Sequence, residues 1–182
     1  SSGKLFGGIR AGNKTNSDFL QGGGDFVPNS RFNEVSIKMN SGYTGKAGTT
    51  TLFYDYSNQK LGLVEDEAIE QVTERGRKNS IWYQEFNTHL LSLQNKFYIG
   101  KSKLEINSAY QNTGLIHFGE ADIREIEMRL ATLTYESILH LPSNNISEYI
   151  IGFQGLNQSN KNLNNCETIL LPDARTNNYS LF

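Results

Sequence analysis

Two long extended segments separated by a tight turn lie between Trp82 and Gln111. Successive side chains of a β-strand point to opposite faces. In the second segment one face would therefore carry Leu104, Ile106, Ser108 and Tyr110, and the other Lys103, Glu105, Asn107, Ala109 and Gln111. The first segment reaches the turn at Gly100–Lys103 without a break, far longer than the usual strand of about five or six residues. This stretch predicts a long antiparallel hairpin with one mostly apolar face, as a membrane-spanning β-barrel requires.

The same alternation recurs on both sides of this hairpin. The paired segments are Phe32–Tyr43 with Thr49–Ser57, and Glu127–Leu141 with Ser147–Gly155. Lys4–Arg10 predicts a first strand weakened by glycines, and the chain after Thr168 has room for one more strand or a turn at Pro172. The fold class predicted is therefore all-β, an antiparallel meander of about eight long strands that forms part of a transmembrane β-barrel.

The connections between these segments alternate in length. Short turns are predicted at 45–48, 100–103 and 142–145, and larger polar loops at 11–31, 58–81, 112–125 and 156–170. Glu65–Arg75 predicts a short exposed helix, followed by the basic run Arg75–Lys78, interpreted as a solvated loop tip rather than a ligand-attracting patch. Outer-membrane barrels have short turns at one end and long loops at the other, whereas a soluble β-sandwich has no physical reason for that asymmetry.

Composition excludes several other classes. A net charge of −2 and a pI near 5.9 argue against a nucleic-acid-binding protein, which usually carries an excess of positive charge. No apolar run approaches the roughly 18–20 residues of a transmembrane helix. The single Cys166 excludes an internal disulfide framework. Because the chain begins Ser-Ser-Gly rather than with Met, we expect a processed chain or a fragment, and interpret residues 1–182 as a single segment of a larger barrel.

The sequence gives little support to an enzyme, and no cofactor or metal site is predicted. Cys166 has no histidine near it in sequence, and His89, His117 and His140 lie on different elements without metal-ligand spacing. Glu136 and His140 share the polar face of one predicted strand with Thr132 and Thr134. In a barrel that face lines the lumen, so Glu136 and His140, with His117, are candidates for contact with a passing substrate. The alternative interpretation is that these residues are polar only because they face water in the lumen.

Several short motifs, in order along nearly the whole chain, resemble the barrel region of TonB-dependent outer-membrane receptors. They are Val27–Asn33 after a Gly/Asp-rich loop, Tyr54-Asp55-Tyr56 with Leu61-Gly62, Tyr83-Gln84, Tyr110-Gln111-Asn112 and Leu171-Pro172-Asp173-Ala174. The chain departs from the pattern at Thr113–Glu120, where many relatives have an Arg-rich segment, so no role is transferred there.

This resemblance implies a bacterial outer-membrane location and active uptake of a nutrient such as an iron chelate, a cobalamin or an oligosaccharide. Such receptors enclose an N-terminal plug in a barrel of about 22 strands. Nothing in this chain resembles the plug, so contact with TonB would pass through a domain absent from it. The expected partners are outer-membrane lipid and a small-molecule or oligosaccharide ligand.

Two other functions stay open from the sequence alone. One is a self-contained small β-barrel of about eight strands that binds a ligand. The other is a β-sandwich surface or adhesion domain. A cut-out piece of a larger barrel would have unpaired edges, so the isolated fragment is expected to self-associate.

Overall fold

The computed structural model describes residues 3–120, 123–142, 147, 149–163 and 169–182. Eight strands form one sheet in the order β1-β2-β3-β4-β5-β6-β7-β8, and every neighbouring pair is antiparallel. The strands are β1 (Lys4–Asn16), β2 (Phe32–Gly45), β3 (Gly48–Gly62), β4 (Tyr83–Ile99), β5 (Ser102–Phe118), β6 (Arg124–His140), β7 (Ile150–Asn162) and β8 (Ala174–Leu181). The prediction of an all-β antiparallel meander of eight long strands is confirmed.

The sheet has two chemically different faces, which we call face A and face B. Leu91, Leu93 and Phe97 of β4 lie on face A, and the strand register places Tyr54, Ile106, Tyr110, Leu133 and Leu139 beside them. The alternate residues form face B, which carries Gln94, Lys96, Glu105, Asn107, Thr134 and Glu136. Among the large hydrophobic side chains that are exposed on strands, all lie on face A except Phe6, Tyr98 and Ile150. Face A is thus an exposed apolar surface on the described part of the chain.

The strands extend further toward the long connections than the segments in which apolar and polar residues alternate. The predicted loop at 112–125 is wrong, because β5 runs to Phe118 and the connection to β6 is only 119–123. Residues 113–118 pair with β4 on one side and β6 on the other. Backbone hydrogen bonds hold this segment in the sheet whatever its side chains are.

The same correction applies to three other predicted loops. The strand β7 continues through the Asn-rich segment to Asn162, pairing with both β6 and β8. The strands β1 and β3 also run past their predicted ends, to Asn16 and Gly62. The connections observed are therefore 17–31, 63–82 and 163–173 in place of 11–31, 58–81 and 156–170. The strand β8 follows the last connection, so of the two alternatives for the chain after Thr168 the structure has the strand.

The tight turns agree with the sequence where they are described. The turn between β4 and β5 has Gly100 at φ +62°, the left-handed region that glycine occupies at little cost. The turn between β2 and β3 is 45–48, as predicted. The predicted turn at 142–145 lies mostly outside the described residues. Within the connection 63–82, the short helix α1 (Asp66–Gln71) confirms the helix predicted at 65–75, in a shorter form.

The turn between β2 and β3 depends on Gly48, because no side chain fits at this position. Its φ is +147°, and a Cβ at this position would overlap the carbonyl oxygen of Lys96 on β4. We expect Gly48→Ala to lower the free energy of unfolding by about 2 kcal/mol, the typical cost of a strained backbone position. Denaturant titration in detergent measures this. Gly22→Ala, with open space around it, is the matched control and should change stability by less than about 0.5 kcal/mol.

The sheet is open at both edges. The strand β1 pairs only with β2, and β8 only with β7, within the part of the chain that the structure describes. Every residue of β1 and of β8 is exposed. Their outer backbone N–H and C=O groups are available to further strands.

Candidate functional site

The connection between β1 and β2 contains a buried ion pair, on which the connection between β3 and β4 docks. Asp18, in the connection between β1 and β2, is 0% exposed, and Arg31 is 8% exposed. The Arg31 guanidinium donates from Nε to Asp18 Oδ1 at 3.0 Å and from Nη2 to Oδ2 at 2.7 Å. This is the two-pronged geometry that makes an arginine–carboxylate pair strong and directional.

The connection between β3 and β4 docks on this pair through its backbone. The N–H of Gly76 donates to Asp18 Oδ2 at 2.9 Å, and the N–H of Asp18 donates to the Gly76 carbonyl at 3.1 Å. Arg31 Nη1 also donates to the Lys78 carbonyl at 2.8 Å. The basic run at 75–78, interpreted as a solvated loop tip, keeps its charged residues exposed but anchors its backbone on Asp18 and Arg31.

The charge of Asp18 is held by these partners. Burial raises the pKa of the Asp18 carboxyl, but the Arg31 hydrogen bonds, the Gly76 N–H and the Arg31 charge outweigh burial and leave the pKa below its usual 3.8. The carboxylate is therefore ionised at every pH at which the protein would work. The two connections form one ordered polar surface at this end of the sheet.

A second anchor in the same region is Asn29. Its backbone has φ +58°, and its side chain is buried. Its amide Nδ2 lies 2.8 Å from the Leu63 carbonyl, 3.2 Å from that of Ile81 and 2.7 Å from that of Trp82. Asparagine tolerates the left-handed conformation better than most residues, and its amide supplies the N–H donors that this nest of carbonyls requires.

Removing the N–H donors of the Asn29 side chain should loosen the connection 63–82. We expect Asn29→Asp to lower the free energy of unfolding by about 2–3 kcal/mol, because a carboxylate would face carbonyl oxygens without a donor. Hydrogen exchange at 63–82 should rise in parallel. Asn178→Asp, on the exposed strand β8, introduces the same charge and is the control. Equal losses in the two variants would show that Asn29 is not an anchor.

On face B, a groove of about 460 Å³ crosses β4 to β8. Its lining mixes apolar residues such as Ala109 and Leu156 with the polar side chains of Gln94, Asn107, Thr134, Gln154 and Asn178, and Glu136 is the one charged residue among those that line it. Asn107 Nδ2 donates to Glu136 Oε1 at 3.2 Å. The groove offers many weak hydrogen-bonding groups and one carboxylate.

The three candidate substrate contacts all lie on face B, but the structure does not bring them into one site. Glu136 lines the groove, and His140 follows it by four residues, with Nε2 3.7 Å from Glu105 Oε2. His117 is buried at the other end of the sheet, where it is paired with Ile126 and lies 3.3 Å from a Glu125 oxygen. At about 3.3 Å per residue, it is about 30 Å along the strand from Glu136. Their contact with substrate stays a prediction.

The remaining candidates are separate from this groove. His89 lies on face A, with Nδ1 2.8 Å from the Tyr54 hydroxyl. In the described ranges, no three His, Cys, Asp or Glu side chains are grouped as a metal site would need. Cys166 lies outside the described residues.

Sequence reasoning missed the Asp18–Arg31 pair and the role of Asn29. In the sequence, Val27–Asn33 is only the end of a predicted loop and a motif of the family resemblance. Its role in the structure depends on partners up to 53 residues away. The available signal was a proline-asparagine turn with an adjacent arginine, which indicates a fixed turn but not its partners.

No protein-family model, no curated protein and no solved structure matches this chain. In the described part of the chain, no helix has the length and apolarity needed to cross a membrane.

Proposed function

We propose that this chain forms part of the barrel wall of a TonB-dependent receptor in a bacterial outer membrane, which imports a scarce nutrient. One observation carries the proposal: eight long antiparallel strands present an exposed apolar face A and a polar face B. In a barrel wall, face A contacts lipid and face B lines the lumen. A soluble sheet would cover an apolar surface of this size.

The order of side chains along the strands of face A also supports placement of this face in a membrane. Apolar residues on face A of β4 run from Leu91 to Ile99, interrupted by Asn95, about 26 Å along the strand at 3.3 Å per residue, close to the apolar band of about 25 Å in outer-membrane barrels. Tyrosines occupy the borders of this band, at positions 54, 56 and 110 toward the loops and 43 toward the tight turns. Beyond the border nearest the loops, face A carries the polar residues Asn87, His89 and Arg129.

In this receptor, the two joined connections would capture the ligand outside the membrane. The Asp18–Arg31 pair fixes their shape, and their exposed polar residues supply weak contacts. The groove on face B would then contact ligand inside the lumen, with Glu136 as its charged group. TonB would act through a plug domain, and iron chelates, cobalamins and oligosaccharides are the ligand classes proposed.

Lipid exposure of face A is the property to test. Two variants, each with Trp82→Phe, would place the single tryptophan either on face A (Leu91→Trp) or on face B (Leu90→Trp). In vesicles containing brominated lipid, we expect strong quenching of the tryptophan at 91 and weak quenching at 90. Weak quenching at both, in a chain that stays soluble without detergent, would overturn the proposal. It would favour a small barrel with face A folded inward around a ligand.

Edge pairing gives a further prediction. In the proposed wall, β1 and β8 pair with further strands, so the isolated chain should satisfy these edges by associating with other copies. Sedimentation in neutral detergent should show a species larger than one chain at micromolar concentration. Prolines at Ile9 and Asn177, on the two edge strands, should reduce it, whereas a monomer at all concentrations would contradict the prediction.

A further inference from the structure

Three cations lie side by side on face A, just beyond its apolar band. Arg129 of β6 is directly opposite Lys161 of β7. Arg175 of β8 is opposite Ser159, which places it diagonal to Lys161 on the same face. All three cations are exposed. Like charges directly opposite each other in a sheet are destabilising, so this arrangement favours an anion between them.

The protein neutralises this cluster only in part. Among the described residues, no ion pair or side-chain hydrogen bond involves Arg129, Lys161 or Arg175. The two nearby carboxylates have other partners: Glu127 lies 3.2 Å from Arg124 Nη1, and Asp173 accepts from Asn162 at 2.8 Å. Hydrogen bonds from Asn162, helped by the Lys161 charge, lower the pKa of Asp173. The cluster therefore keeps a net positive charge.

A groove of about 610 Å³ on face A adjoins these cations. Tyr110, Ala131 and Leu133 line its apolar part, and Lys161, Arg175 and the carboxylate residue Asp173 line its part nearest the loops. Arg129 is four residues from Leu133, about 13 Å along the strand. One end of the groove is thus apolar and the other is cationic.

We propose that this groove binds the phosphate-bearing headgroup of an anionic membrane lipid. The phosphate lies among Arg129, Lys161 and Arg175, and the first part of the acyl chain lies along Tyr110 and Leu133. This rests on the membrane placement proposed above, which puts the cations at the level of the headgroups. Guanidinium groups bind phosphate oxygens in pairs, and cations near a lipid surface add to one another.

Lipid titration of the whole chain in neutral detergent micelles, followed by native mass spectrometry, tests the site. The probes are phosphatidic acid, phosphatidylcholine and inorganic phosphate. We expect retention of one phosphatidic acid in preference to phosphatidylcholine. The variant Arg129→Gln/Lys161→Gln/Arg175→Gln should weaken this by at least about tenfold. The control is Arg10→Gln/Lys14→Gln/Lys38→Gln, which removes the same charge from face B.

Each outcome decides between the alternatives. Equal loss in both triple variants would show a general charge effect and overturn the site. Inorganic phosphate that competes at micromolar concentration would overturn the lipid assignment, because the anion alone would suffice. If the tryptophan test places face A in lipid while the triple variant binds normally, this inference fails and the receptor proposal stands. If face A is not quenched, the receptor proposal itself fails.

Discussion

Replacing Asp18 by asparagine is expected to lower the free energy of unfolding by about 3–5 kcal/mol, the usual cost of breaking a buried ion pair. The change keeps the shape of the side chain but removes its charge, so the Arg31 guanidinium remains buried without a counter-ion. The Gly76 N–H also loses a charged acceptor. Denaturant titration in detergent measures the loss, and Asp25→Asn, an exposed residue in the same connection, is the control.

Two further measurements separate the ion pair from simple misfolding. The double variant Asp18→Asn/Arg31→Met should recover part of the stability, because no uncompensated charge stays buried. The pH dependence gives an independent readout. Since the folded pKa of Asp18 is lowered, its contribution is complete above its unfolded pKa of about 4 and is lost as pH falls through the folded value. The loss of stability on acidification should be smaller in Asp18→Asn, and an unchanged profile would contradict the assignment.

The sequence predicted strands well where apolar residues alternate with polar ones. Phe32–Tyr43 and the hairpin at Trp82–Gln111 are such segments, because burying or exposing one face leaves a period of two in the side chains. Prediction failed where apolar and polar residues do not alternate. The segments 112–118 and 156–162 have no such period, yet backbone pairing to neighbours on both sides keeps them in the sheet.

The candidate site was less accessible to sequence reasoning than the fold. Glu136 could be placed on a polar strand face from alternation alone, and it lines the groove on face B. Asp18, Asn29 and Arg31 look like ordinary loop residues in sequence. Their importance comes from carbonyls and amides on a connection about fifty residues away, a contact that no local pattern records.

An arginine at the centre of face A should be far more costly than one beside it on face B. Leu93 lies within the apolar part of β4, opposite Leu52 on β3 and Ser108 on β5. If face A contacts lipid, Leu93→Arg places a charge near the middle of the bilayer, where it costs about 2–4 kcal/mol in outer-membrane barrels. The adjacent Gln94 lies on face B, so Gln94→Arg should cost less than about 1 kcal/mol.

The comparison needs two environments, because an arginine on any packed surface destabilises. Folding free energies are measured for both variants in phospholipid vesicles and in a neutral detergent. In vesicles, Leu93→Arg should lose about 2–4 kcal/mol more than Gln94→Arg, since only the bilayer forces the charge into hydrocarbon. In small micelles, which thin and deform around a charge, the difference should shrink. Equal effects of the two arginines in vesicles would mean that face A does not contact lipid, and the barrel-wall placement would then be wrong.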